Sequence, residues 1–393
     1  MRKVYLDNAA TTIMSNEVIN EMLPCFNTIY GNANSLHSFG REASGVVDRA
    51  RDRIAKAINA HSNEIYFTSG GTEANNWAIK GIAYANKHKG NHIITSQIEH
   101  HSVLDACKQL EEEGFRVTYL PVDKYGVVSI ADLMHYITKD TILISIMAVN
   151  NEVGTIQNIK AIGMTAKEKD IVYHVDAVQA LGAVKLDVQD MQIDAMSISG
   201  HKIYGPKGVG ALYVRNGVRI NTLIAGGNQE RKKRGGTSNV PAIAGFGKAA
   251  EIATRDLFIN AQKLKTIRSY FLQQIEEKIP YTYVNGHPYQ KIQGTVNISF
   301  EMIEGESILL MLDLRGIAVS TGSACTSGSL EPSHVLKAMQ VPDELAQGSI
   351  RFSFPKSISK QDVDYVVENL AEVVEKLRSI SPLTKAGRTK KNV

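Results

Sequence analysis

Lys202 lies within Ser199-Gly-His-Lys-Ile-Tyr-Gly-Pro-Lys-Gly-Val-Gly210, directly after a run with the character of a buried strand. A lysine at a strand end inside a glycine-rich turn is placed to enter a pocket. Partial desolvation makes such an amine a nucleophile able to form an imine. An arbitrary lysine is usually solvated, but the flanking Ser199, His201 and glycines argue against that reading here. His174-Val-Asp-Ala-Val-Gln179 ends the preceding run. Ligands of open α/β sheets lie off the carboxyl ends of the strands, so Asp176 and Lys202 can face one crevice. A carboxylate there could hold a protonated pyridine nitrogen; it could equally cap the helix that follows.

Two further segments join these. Thr68-Ser-Gly-Gly-Thr-Glu73 connects a strand to a helix. Paired glycines let backbone approach a ligand, and a helix start offers unpaired N–H groups and the positive dipole end, a seat for phosphate. The same residues also serve purely as a tight turn and cap. Ser320-Thr-Gly-Ser-Ala-Cys-Thr-Ser-Gly-Ser-Leu330 holds Cys325 in a stretch of small polar residues, which reads as an exposed, flexible loop. A cysteine there has little to bury it, so a reactive thiol explains it better than packing. Cys25, beside Pro24 and Phe26, and Cys107, on a helical pattern, fit the buried small-hydrophobe role.

The elements that must position these residues follow from periodicity. From about residue 64 to 214, β-branched runs at 64–67, 92–95, 116–120, 141–146, 171–175, 195–198 and 211–214 alternate with amphipathic helical segments at 73–87, 102–113 and 159–169. That alternation predicts a mainly parallel sheet wrapped by helices. A helix over 41–60 precedes it, with Ala43, Val46, Val47, Ala50 and Ile54 on its buried stripe. Beyond about residue 255 the pattern predicts a long helix through 275, a strand at 295–300 and helices at 307–314 and 360–378. The expected division is a large α/β domain over 15–255. A smaller α+β domain is formed by 1–14 and 256–393.

Composition excludes several classes. Three scattered cysteines cannot make a disulfide framework or a clustered metal site, which points to a reducing compartment. The Ile142–Val149 run is too short to span a bilayer, and no leader core follows Arg2 and Lys3, so a cytoplasmic location is expected. Of the 44 Lys plus Arg, four (Lys385, Arg388, Lys390, Lys391) lie in the last nine residues, leaving 40 against 40 Asp plus Glu. A neutral body argues against a nucleic-acid footprint. Arg231-Lys-Lys-Arg234 reads the same way, its arginines structural and Lys232 and Lys233 solvated.

Together the four segments resemble the cysteine desulfurases of the NifS/IscS type. The likeness also runs through Tyr5-Leu-Asp-Asn-Ala-Ala-Thr-Thr12, Gly31-Asn-Ala-Asn-Ser-Leu-His37, Glu99-His100, Val149-Asn-Asn-Glu-Val-Gly154 and Ser349-Ile-Arg-Phe-Ser353. The resemblance implies the aspartate-aminotransferase fold (fold type I), pyridoxal 5'-phosphate as cofactor, and a homodimer turning L-cysteine into L-alanine. It implies that Lys202 carries the cofactor and moves the substrate's α-proton. Asp176 pairs with the ring nitrogen, Gln179 with the phenolic oxygen, and His100 stacks on the ring. Gly71, Thr72, Ser199 and His201 cradle the phosphate, joined by Thr237 from the partner subunit. Asn151 and Arg351 hold the substrate, Asn151 also touching the cofactor. Cys325 takes the sulfur as a persulfide and delivers it to an acceptor, for iron–sulfur cluster assembly or tRNA thiolation. No resident metal is implied, only transient contact of Cys325 with a cluster.

The chain departs from that family at Ala33, at Phe354-Pro355 and at Thr384, where the housekeeping branch has tryptophan, so docking of a scaffold through the tail is not implied. An aminotransferase would need Lys202 and Asp176 but not Cys325. A non-catalytic binding protein would need none of them.

Overall fold

The strands of the large sheet form because their runs are apolar on both faces. His92–Ser96, Thr141–Ser145, Ala195–Ser199 and Gly210–Val214 are buried at every residue, the signature of a sheet covered on both sides. In the computed structural model, which describes residues 2–321 and 332–382, seven strands order as Ile65–Thr68, Gly210–Val214, Ala195–Ser199, Val172–Asp176, Thr141–Ser145, His92–Ser96 and Arg116–Leu120. All pairings are parallel except those of Gly210–Val214, which runs antiparallel to both neighbours.

Alternate residues feed two cores. Ile93 and Leu143 pack with Trp77, Ile79 and Cys107 on one face, while Ile94 and Ile144 pack with Ile54, Val47 and Phe246 on the other. The second face is covered by the helices Ser38–Ala57 and Val240–Arg255. A Cβ at Gly247 would fall 2.5 Å from Ala50 Cα, so glycine is what lets these helices close on each other. Val240–Arg255 is absent from the periodicity reading; its stripe of Ala and Gly makes a contact surface without a strong apolar pattern. The helix expected from about 255 begins at Leu257, set off by a break at Asp256. The strands Thr282–Asn285 and Ser349–Ser353 are likewise additions to that reading.

A third core gathers Val4 and Leu6 from the chain start with Phe271, Ile298, Phe352 and Val367. It lies beneath an antiparallel four-stranded sheet ordered Ser320–Thr321, Ser349–Ser353, Thr295–Phe300, Thr282–Asn285. The helices Leu257–Lys278 and Lys360–Ile380 supply its other side. Residues 333–346 instead contribute Val335, Leu336, Met339 and Ala346 to the core that holds Ile94 and Ile144. Cys25 and Cys107 are buried and free. No helix among the described residues is long and apolar enough to cross a membrane. Cys325 and residues 384–393 lie outside the described residues.

Candidate active site

Strand order reverses at His92–Ser96, which lies between strands that both follow it in the chain. Such a switch opens a crevice at the carboxyl ends of the strands. His100, Asn151, Asp176 and Ser199–Lys202 all follow those ends, as the resemblance requires.

Asp176 is the centre of the polar network. Its Oδ1 accepts the Val178 N–H at 2.9 Å within a turn; no helix lies between Val172–Asp176 and Ala195–Ser199, so the helix-cap alternative does not hold, and Oδ2 accepts Asn75 Nδ2 at 2.7 Å. Asn75 also donates to Ser102 Oγ at 2.9 Å. Ser102 Oγ in turn lies 2.8 Å from His100 Nδ1, which also accepts the Ser102 backbone N–H at 3.1 Å. A backbone N–H can only donate, so the proton of the neutral ring sits on Nε2. Burial lowers the His100 pKa; Asp176 works against that shift and Lys202 with it. The ring therefore enters the crevice neutral, offering an N–H.

Lys202 follows the strand Ala195–Ser199 in a short 3-10 turn. Its ammonium donates to the carbonyls of Ala9 and Ala10, and Gln179 Nε2 reaches the same Ala9 oxygen at 2.9 Å. The chain start thus closes one side of the crevice. Two residues earlier, Asp7 makes an ion pair with Arg351 Nη2 at 2.9 Å, while Arg351 Nη1 donates to the Asn151 carbonyl at 3.1 Å. Arg351 Nε is buried without a partner.

A phosphate-bearing pyridine cofactor fits the free groups that remain. Ser199 Oγ is buried and unpartnered. The 16-residue helix Gly71–Asn86 starts with no side-chain cap on its N–H groups. A Cβ at Gly71 would strike Val178 Cγ2 at 2.6 Å and come within 3.7 Å of Ser199 Cβ, so the glycine keeps this cradle open. His201, its Nδ1 3.2 Å from Thr11 Oγ1, is held down at about 4 by burial and then by Lys202 and Lys207, and so stays neutral. Thr72 is in the same first turn. Thr237 is exposed.

Asn75, Ser102 and Asp7 escaped the sequence reading. The Thr68–Asn75 motif contains the first, but nothing in spacing shows that residue 7 meets residue 351. The basic run is structural, as expected: Arg231 donates to the Ile65 carbonyl and stacks on Tyr66, and Arg234 pairs with Glu73 at 2.8 Å. Lys233, expected to be solvated, instead donates to the Ile220 carbonyl at 3.3 Å.

Two buried groups behind the crevice titrate in opposite senses. Burial holds His174, between the Ser145 and Ser197 hydroxyls, at about 3, so stability is lost as pH falls from 6.5. Burial pushes Glu99 up to about 8, despite hydrogen bonds from Ser96 and the Met147 N–H. The folded chain then keeps a proton that the unfolded one releases above 4.5, and stability is lost as pH rises from 4.5 to 8. Each slope is about 1.4 kcal/mol per pH unit, and between the two ordinary values they cancel. Glu99→Gln keeps the neutral shape, so its stability relative to wild type should climb by roughly that slope between pH 5 and 8 in urea titrations. A constant difference would mean that Glu99 is ionised in the fold.

A class-V aminotransferase family model matches residues 4–366. The chain belongs to that family. It is 54% identical over 383 residues to cysteine desulfurase IscS of Methanosarcina thermophila, covering 98% of this chain and 95% of that protein. Identity to cysteine desulfurase IscS of Clostridium botulinum is 53% over 384 residues, with 97% of each covered. Among solved structures, a NifS-like protein superposes with a TM-score of 0.91 at 39% identity, over 96% of this chain and all of that one. SspA in complex with cysteine gives 0.80 at 38% identity, over 90% and 99%. The aspartate-aminotransferase fold implied by the resemblance is therefore present, and the family is pyridoxal-phosphate dependent.

Proposed function

We propose that this class-V enzyme is a cysteine desulfurase, taking L-cysteine to L-alanine and leaving the sulfur as a persulfide on Cys325. Near-full-length identity above half to proteins of that name carries the reading. The site geometry supports it: an amine, a carboxylate and an uncapped helix start meet off the strand ends. When bound, pyridoxal phosphate supplies an electron sink for the substrate's α-carbon. Lys202 would hold it, Asp176 would keep its ring nitrogen protonated, and Gln179 would reach its phenolic oxygen. Gly71, Thr72, Ser199 and His201 would grip its phosphate.

The chain's own groups then divide the work. Arg351 and Asn151 orient the substrate carboxylate, with Asp7 holding the guanidinium in place beforehand. Lys202 Nζ moves the α-proton. His100, with Nε2–H directed by the Ser102–Asn75–Asp176 chain, presents a proton donor over the reacting centre. The Cys325 thiolate attacks the substrate sulfur; the carbon–sulfur bond breaks, its electron pair returns to carbon and is protonated, and alanine leaves. Atoms balance as cysteine plus thiol giving alanine plus persulfide, without an external oxidant.

A homodimer accords with the exposed apolar residues near the chain start, among them Ile13 at 76% and Leu36 at 91% exposed. It would bring Thr237 of the partner subunit to the phosphate. A scaffold or other acceptor protein would collect the sulfur for cluster assembly or tRNA thiolation. One assay tests the core reading: purified protein given cysteine should release alanine and gain one sulfur atom on the Cys325 peptide. Transamination without alanine release would replace it. Arg351→Gln should raise KM for cysteine on the order of 10- to 100-fold, the loss of a charged two-pronged contact, with the cofactor's absorbance intact. An unchanged KM would move carboxylate binding elsewhere.

A further inference from the structure

The described residues on either side of Cys325 are fastened to the groups assigned to substrate and cofactor. Upstream, Ser320 lies opposite Arg351 in the antiparallel sheet. Downstream, the Ser333 hydroxyl donates to Glu152 Oε2, and His334 Nε2–H donates to the Glu99 carbonyl at 2.9 Å. Glu152 directly follows Asn151, whose carbonyl accepts Arg351 Nη1 at 3.1 Å, and Glu99 directly precedes His100. Two consecutive residues thus join the Asn151 turn to the segment that presents His100.

The Ser333–Glu152 bond is internal, with the two residues 4% and 2% exposed. Ser333 Oγ also accepts the Val335 and Leu336 N–H groups, at 3.1 and 3.2 Å, as the N-cap of the helix His334–Ala338. Those bonds take up the oxygen's lone pairs, so its proton is committed to Glu152. A cap of this kind needs no carboxylate behind it. Burying one is costly, and burial pushes Glu152 up to about 7 although Ser333 and Arg351 both act the other way. The glutamate therefore serves something other than the helix.

We propose that Glu152 and Ser333 are positioning residues for the sulfur-transfer step, their bond fixing the chain downstream of Cys325 to the turn that holds the substrate. The inference rests on the desulfurase reading given above. Cys325 precedes Ser333 by eight residues, a length of chain that can reach up to roughly 28 Å. Sequence alone leaves the thiol's place open over that range, and tying the chain at Ser333 narrows it. A misplacement of about 1 Å is enough to slow a reaction on the order of 10²-fold.

The test uses full-length holoenzyme and two readouts. One is alanine formed from cysteine with a thiol reductant as sulfur acceptor, which needs Cys325; the other is exchange of the α-proton of added alanine with solvent, which needs Lys202 but not Cys325. Ser333→Ala should lower the first about 10-fold or more at saturating cysteine and leave the second within about twofold of wild type. Ser333→Gly should do the same, and because glycine is nearly as good an N-cap, loss of the cap is then not the cause. Glu152→Met should carry the same loss of alanine formation, and adding Ser333→Ala to it should cost almost nothing more, since both changes break one bond. Equal falls in the two readouts, a wild-type rate in Ser333→Gly, or an undiminished effect of Ser333→Ala in the Glu152→Met background overturns the assignment. Should Glu152→Met fail to fold, the contrast between the two readouts in Ser333→Gly decides by itself. Wild-type protein that forms no alanine from cysteine would overturn the desulfurase reading, and this proposal with it.

Discussion

Replacing Lys202 with alanine should lower alanine formation from cysteine on the order of 10³-fold or more and abolish covalent retention of the cofactor after borohydride reduction. The position leaves little alternative. Lys202 alone follows the strand end next to the Ser199 hydroxyl, shares the Ala9 carbonyl with Gln179, and is near enough to His100 to lower that ring's pKa. Its partners include two backbone carbonyls at the crevice edge, so the substitution removes chemistry rather than a piece of core. The melting temperature should therefore move by only a few degrees. Small primary amines added to the variant should restore part of the activity, because they replace the proton-moving nitrogen without the tether. A variant that retains borohydride-stable cofactor would assign the attachment to another lysine.

The second large effect is expected from Cys325→Ser. Sulfide and alanine production from cysteine should fall at least about 10²-fold, since a hydroxyl oxygen cannot accept sulfur as a persulfide and is barely ionised at neutral pH. The cofactor's visible absorbance should survive intact, because the substitution leaves Lys202, Asp176, Ser199 and His201 unchanged. Exchange of the α-proton of added alanine with solvent, which needs Lys202, should survive with it. That separation distinguishes a thiol that acts on sulfur from one that merely supports the fold. If the serine variant still desulfurates at the wild-type rate, sulfur leaves by another route.

Much of this was legible from residues 64–214. Each of the seven predicted runs is a strand; for the central ones, apolar runs buried on both faces have no competing use as surface helices. Asp176 and Lys202 were placed in one crevice by the rule that ligands gather at carboxyl strand ends, and both are there. Less was legible where the signal is the absence of side chains. Val240–Arg255 packs through Gly245, Gly247, Ala249 and Ala250, and small residues carry almost no hydrophobic periodicity. The anchoring of residues 4–10 beside the site was not readable either, since Val4 pairs with Ile317 and Asp7 with Arg351 across more than 300 residues.

By itself the sequence determined the chemistry on offer. It showed a lysine, a carboxylate, an anion-binding turn and a loop cysteine, in an order that matches one branch of one family. Those are properties of local types and spacings, and they need no fold to be read. Tertiary structure alone decided how the groups are set. It put the His100 proton on Nε2 through Ser102, coupled that serine to Asp176 through Asn75, and gave Arg351 an acidic partner from the chain start. Protonation state and charge balance depend on what folding brings within a few ångströms, and sequence separation does not encode that distance.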